Sequence, residues 1–543
     1  MKFSSLSKIE KICWIALICM VLVSIGLVSA VVLRPPSNGN QGKNESAVQN
    51  SSSAQSGLTQ KLDHTPDKCT LNQSLPDFSL TTQNGEKLSS TSMRGKVTVI
   101  SFWASWCPHC QKEMEQASQI QTMLSNYQDV NFWLVDKLDM KKETKETALS
   151  YLEKNKIPFP VLFDEKIQVY QQLGIKIVPT TLVIDQDGIL RAWHMGDGLT
   201  AGVLESMINY AQNGGADGVQ SFITKHLTNE DGGVQTGYLN QNLATPSWTD
   251  VLSESQGLMM KYAVDQKDKN LFDRTYGYVT NKMGKDPLTA WAVTKQGASR
   301  TNASLDDLRI YQALSNADTL WGGYSTQLEN MEKALHRYNT ENQYLVNSYD
   351  FENKKKSDQM KLCFADFEAL NLLAEKSSRW SVVAQNSLAI VEKGSIGDAF
   401  PLYYNTYDYT KKTYQHDTIH MAEEMVTLLH LARIGRLPQK TVQWLKSAVT
   451  GEGIFARYQT NGTVAEGGHY ESTAIYGLVS MIAQAIGDED LANRAMIRME
   501  TMRIFDTSNI VNGAFGNADG TGIYSFDQCI ALLAYNSEES VTK

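Results

Sequence analysis

Trp106-Cys107-Pro108-His109-Cys110 constrains this chain more than any other segment. An apolar, β-prone run at residues 97–103 leads into it, and a helix-prone run at 111–115 follows. Two cysteines separated by two residues, where a strand hands over to a helix, are arranged for dithiol–disulfide exchange. The first thiol sits at the helix N-terminus, where partial positive charge favours a thiolate. The second lies one turn further in, placed to resolve a mixed disulfide. His109 stands between them, and a protonated imidazole there stabilises the reduced form and makes the couple more oxidising. A Cys-x-x-Cys pair is also half of a zinc site. The other cysteines, Cys13, Cys19, Cys69, Cys363 and Cys529, supply no second close pair, so no metal is expected.

At 543 residues the chain is long enough for two or three domains. A net charge of −9 without basic tracts argues against nucleic acid as a partner. Ten tryptophans and 23 tyrosines suffice to line an aromatic cleft, or simply to fill cores.

Residues 12–33 are almost entirely apolar and carry no charge. They would make a helix of about 33 Å, enough to cross a bilayer core. Lys2, Lys8 and Lys11 precede the run and only Arg34 follows it closely, so the N-terminus is expected inside and the body of the protein outside. A signal peptide cleaved after Val28-Ser29-Ala30 is the competing reading. The expected organisation is a membrane anchor over 1–34, a flexible Asn/Ser/Gln/Gly-rich tether over 35–66, an α/β domain over 67–212 and a helical domain over 217–543. Strands are expected at 97–103, 130–135 and 180–184, and helices at 113–124, 144–154 and 203–211. Beyond the Gly-rich break at 213–218, amphipathic helices follow one another with short joints. With no fixed repeat period, they suggest a helical toroid rather than a regular solenoid.

The α/β segment resembles the thioredoxin superfamily, in particular its membrane-tethered TlpA/ResA-like branch. The matching residues are Pro76-Asp77-Phe78, Gly95-Lys96, Phe102 through Cys110, and Val178-Pro179-Thr180-Thr181. The resemblance implies that Cys107 attacks, Cys110 resolves, and a cis proline at Pro179 with Val178 docks the substrate chain. Cys-Pro-His-Cys is the motif of DsbA-type oxidases, whereas the surrounding frame resembles reductants, so the direction of electron flow stays open. Protein thiols or disulfides and a membrane redox partner are the expected partners.

In the helical domain, Glu254 opens an otherwise apolar helix, where burial can keep a carboxyl protonated. An acidic residue at a solvated helix start is the plainer reading. The order of segments, however, resembles glycoside hydrolase family 8, an (α/α)6 toroid. Ser253-Glu254-Ser255-Gln256-Gly257 is similar to the segment carrying that family's general acid. Leu288-Thr289-Ala290-Trp291 and residues 303–310 are similar to the next two segments, and Leu320-Trp321-Gly322 follows. Tyr414 through His420 is similar to the segment carrying the general base, here Asp417. The resemblance implies an inverting hydrolase of a polysaccharide, with a β-1,4 linkage expected. Asp307 would bind the sugar, and Trp291 and Trp321 would stack on its faces. His416 and His420, flanking Asp417, would supply positive charge or hydrogen bonds. Ser255, Leu258-Met259, Leu305, Arg309 and His420 depart from the family pattern.

The sequence thus points to a single-pass, extracytoplasmic protein joining thiol–disulfide exchange to polysaccharide hydrolysis, with no cofactor. Two rival readings remain: a redox protein whose toroid only binds glycan or serves as scaffold, and a hydrolase whose redox domain switches its own Cys363 and Cys529.

Overall fold

The computed structural model describes residues 66–540, apart from 67, 72, 197, 214, 239–246, 286 and 505–508. The expected anchor and tether lie outside the described residues. Among those described, no helix is long and apolar enough to cross a membrane.

The α/β part is one seven-stranded sheet in the order β2-β1-β5-β4-β3-β6-β7. Its strands are β1 (Ser79–Thr82), β2 (Lys87–Ser89), β3 (Val97–Trp103), β4 (Val130–Asp136), β5 (Val161–Phe163), β6 (Thr180–Ile184) and β7 (Leu190–Met195). β3 is buried at every position, as a central strand covered on both faces must be. It runs parallel to β4 and antiparallel to β6. The helices are α1 (Pro108–Met114), α2 (Ala117–Leu124), α3 (Lys145–Lys154), α4 (Gln168–Gln172) and α5 (Ala201–Asn213). The continuous helix expected over 113–124 is two helices, broken at Glu115-Gln116. This lets Met114 and Ala117 both turn inward. α3 begins where Thr144 and Thr147 exchange side-chain-to-backbone bonds across the first turn.

The helical part follows α6 (Ala216–Phe222). α7 (Ser253–Asp265), α9 (Ser304–Trp321), α11 (Phe367–Lys376), α13 (Met421–Arg433), α15 (Thr473–Ala485) and α17 (Ser525–Ser540) pack in sequence, and α17 returns to α7. That closes an inner ring of six helices. α8 (Lys269–Tyr278), α10 (Ser325–Asn339), α12 (Arg379–Lys393), α14 (Gln439–Thr450) and α16 (Glu489–Glu500) pack outside it, and α6 packs on α17. α15 is buried at nearly every position, as a helix enclosed on all sides should be. Short antiparallel strands, not anticipated from the sequence, tie the loops where the inner helices begin.

The two parts pack on each other. α5 and β7 lie against α16. The buried Asn493 accepts from the Trp193 N–H at 3.1 Å and donates to the Trp193 carbonyl at 2.7 Å.

Candidate active sites

β3 delivers the redox motif. Cys107 caps α1, and its sulfur accepts the Cys110 N–H at 3.4 Å. The Cys107 thiol points at the Val178 carbonyl, 3.5 Å away, and the Val178–Pro179 bond is cis. Cys107 is 4% exposed and Cys110 fully buried, both as free thiols. Burial pushes the Cys110 thiol far up, reinforced by its hydrogen bond with Cys107 and by the charges of Cys107 and Glu113. An outer thiol within reach and an inner one held protonated suit sequential attack and resolution. His109 and Pro108 are exposed at the mouth. Trp106 beside them is 40% exposed, with the Lys142 ammonium 5.2 Å from its ring centroid.

A buried carboxyl, Glu143, braces this loop, and the sequence reading missed it. Glu143 accepts from the Ser105 N–H at 2.9 Å, the Ser105 hydroxyl at 2.7 Å and the Thr147 hydroxyl at 2.9 Å. Asp136, opposite Trp103 in the sheet, has neither oxygen hydrogen-bonded. Burial pushes its pKa up to about 8, helped by Glu143, Asp139 and Asp164.

The second site lies where the inner helices begin. The Ser253 N–H donates to the Trp291 carbonyl at 3.0 Å, and its hydroxyl donates to Asp306 at 2.6 Å. Those bonds fix the start of α7, with Glu254 as its second residue and Trp291, half-buried, beside it. Arg309 Nη1 lies 3.5 Å from Glu254 and 3.5 Å from Asp306. Burial pushes the Glu254 pKa up to about 7; Arg309 pulls it down, and Asp306 and Glu423 push it up. Glu423, at the start of α13, pairs with Lys361 at 2.7 Å. Asp306, Arg309, Lys361 and Glu423 are the members of this site that sequence reasoning passed over. The one signal was Arg309 itself, a cation where the resembling family carries an acid.

Asp417 is exposed on the turn between two short strands, with the Thr418 carbonyl held by Asn405 at 2.8 Å. It acts electrostatically on His420, which also faces Glu423 and Lys361. Burial pulls His420 below its ordinary value, so at neutral pH it supplies less positive charge than its position beside Asp417 suggested. His416 packs on Tyr404, ring centroids 4.6 Å apart.

Two sequence assignments are corrected by the geometry. Asp307 has no exposed surface. Its oxygens accept from the Thr289 N–H (2.9 Å), the Thr289 hydroxyl (2.7 Å) and Asn302 (2.8 Å). It braces the site from behind, and its neighbour Asp306 is the carboxylate beside Glu254. Trp321 ends α9, twelve residues beyond Arg309 and so about 18 Å along the helix. It packs there on Phe272, centroids 5.3 Å apart, under Lys269.

Comparison with known proteins agrees with both halves. The AhpC/TSA family profile matches residues 71–193, and that of glycosyl hydrolases family 8 matches residues 197–349. YdaJ of Bacillus subtilis (strain 168) is 26% identical over 351 residues, covering 62% of this chain and 93% of that protein. The thioredoxin-like protein YneN of the same organism is 33% identical over 130 residues, covering 23% of this chain and 71% of that protein. A solved structure described as a novel alpha-amylase from Clostridium perfringens aligns with a TM-score of 0.55 at 29% identity, covering 59% of this chain and 96% of that one. The chain belongs to the thioredoxin-like AhpC/TSA family through its α/β part, fused to a glycosyl hydrolase family 8 domain.

Proposed function

We propose that this chain is a membrane-anchored, extracytoplasmic enzyme joining thiol–disulfide exchange to inverting hydrolysis of a polysaccharide. The observation that carries the hydrolytic half is the placing of Glu254, a half-buried carboxyl at the start of an inner helix, 3.5 Å from Arg309 and with its pKa pushed up to about 7. Glu254 donates its proton to the glycosidic oxygen as the C1–O bond breaks. Asp417 takes a proton from the water that attacks C1 on the opposite face. Such a pair works across about 6.5–9.5 Å and inverts the anomeric centre. Trp291 supplies an aromatic face beside the acid.

In the redox half, the Cys107 thiolate attacks one sulfur of a substrate disulfide. That S–S bond breaks, a mixed disulfide forms, and the other substrate sulfur leaves as thiolate. Cys110 then loses its proton to solvent and attacks Cys107, forming the Cys107–Cys110 disulfide and releasing the second substrate thiol. Two electrons pass to the substrate; the reverse sequence oxidises it. His109 tunes the couple, and Val178 with Pro179 docks the substrate chain. The uncharged run at 12–33 behind three lysines supports a retained anchor and a membrane redox partner that recharges the site.

The β-1,4 linkage rests on the family resemblance. The description of the similar Clostridium perfringens structure as an alpha-amylase favours an α-glucan as a second reading. Reducing-end release by the full chain from matched α-1,4- and β-1,4-glucans decides between them. Binding without release from either would reduce the ring to a glycan-binding module.

A further inference from the structure

A cavity of about 1400 Å³ has neither Glu254 nor Asp417 among its lining residues. It lies between α10, α12 and three hairpin loops, those at residues 340–345, 349–356 and 406–414. Its walls are aromatic. Tyr338 and Tyr349 lie with centroids 4.7 Å apart, and Tyr349 and Phe351 5.1 Å apart. Across from them, Tyr344 meets Tyr409 at 5.5 Å and Tyr407 meets Tyr414 at 4.9 Å. Tyr344 is 36% exposed.

Its rim is cationic. Arg337, Lys354, Lys355, Lys356, Lys393 and Lys412 line it, against only Glu341 and Asp358. Lys356 pairs with Glu341 at 2.7 Å, so five cations face one remaining carboxylate among the lining residues. Arg337 lies 5.2 Å from the Tyr338 ring centroid, joining rim to wall. On a chain whose net charge is −9, this concentration of positive charge runs against the overall balance. Aromatic faces pack on the C–H faces of sugar rings, and ammonium groups take carboxylates or phosphates as point charges.

We infer that this cavity is a separate binding site for an anionic polysaccharide, one whose sugars carry carboxylate or phosphate groups. It holds the chain by tyrosine walls and a lysine rim, and cleaves nothing. Several weak contacts spread along a polymer would raise the local concentration of glycan at the molecule, whether or not the Glu254 cluster cleaves that same polymer.

The test is equilibrium binding by the full chain to hexagalacturonate, 6-phosphorylated maltohexaose, neutral maltohexaose and polyglutamate. Three proteins are compared: the natural sequence, Lys355→Glu/Lys412→Glu, and Tyr344→Ala. All three substitutions fall on exposed side chains outside the hydrolytic cluster. The expected result is binding of at least one charged oligosaccharide, weakened about tenfold by the double charge reversal and by loss of the tyrosine, and falling with salt. The two charged arms tell carboxylate from phosphate. Failure to bind either charged sugar overturns the proposal. So does polyglutamate binding as tightly as the sugars with no effect of Tyr344→Ala, which would mark a surface for acidic polypeptide. Because binding is the readout, the outcome is independent of whether Glu254 cleaves anything.

Discussion

Arg309 reaches Glu254 from the second turn of the neighbouring inner helix, with Nη1 3.5 Å from the carboxylate. Burial drives the acid's pKa up and the guanidinium holds it near 7, so the pair sets where the proton is released. Catalysis by Glu254 needs the protonated form, which places the alkaline limb of the activity profile near pH 7. Arg309→Gln removes the group that favours the ionised form. The alkaline limb should move up by about one pH unit. A pH–kcat/KM profile checks it; an unmoved or lowered limb contradicts the pairing.

Glu254→Gln and Asp417→Asn should each lower hydrolysis at least about a thousandfold while leaving glycan binding measurable. Reducing-end assay and affinity electrophoresis on the same samples separate the two effects. Asp307→Asn should act differently. Its carboxylate is enclosed, so the variant should lower thermal stability with a smaller change in kcat.

At the redox site, Cys107→Ser should abolish exchange, and Cys110→Ser should trap a mixed disulfide visible by mass spectrometry. His109→Pro should make the couple more reducing, as read against a glutathione series. A potential that does not move removes His109 from the account.

Asp136 makes a statement about stability and pH. Its folded-state pKa of about 8 lies above the ordinary carboxylate range, so the folded protein holds a proton that the unfolded chain gives up near pH 4. Its contribution therefore becomes less favourable as pH rises from about 4 to about 8. Asp136→Asn keeps the shape and removes the charge. It should stabilise the protein by about 1–3 kcal/mol at pH 8 and by little at pH 5. Thermal melts at both pH values test this.

The redox site was legible because its chemistry is local: a buried strand, two cysteines and one helix start, contiguous in the chain. Its support was not. Glu143 reaches Ser105 from the segment before α3, and nothing near it in sequence marks it. In the helical part, apolar periodicity located the helices, and the order of degenerate segments pointed to Glu254. What the order could not say is which end of a helix a residue occupies in three dimensions. Trp321 follows the right segments along the chain and lies at the wrong end of α9. Asp306 and Asp307 are neighbours in sequence, but helical geometry turns one toward Glu254 and the other into Thr289 and Asn302. His420 looked like a source of charge for Asp417 until burial was known.

The most direct test of the central claim is reducing-end release from α-1,4- and β-1,4-glucans by the full chain, run beside Glu254→Gln and Cys107→Ser. Release by the natural sequence and by Cys107→Ser, with none from Glu254→Gln, is the predicted result. Equal release by Glu254→Gln, or none by the natural sequence on any glucan, would contradict a hydrolase built on this carboxyl.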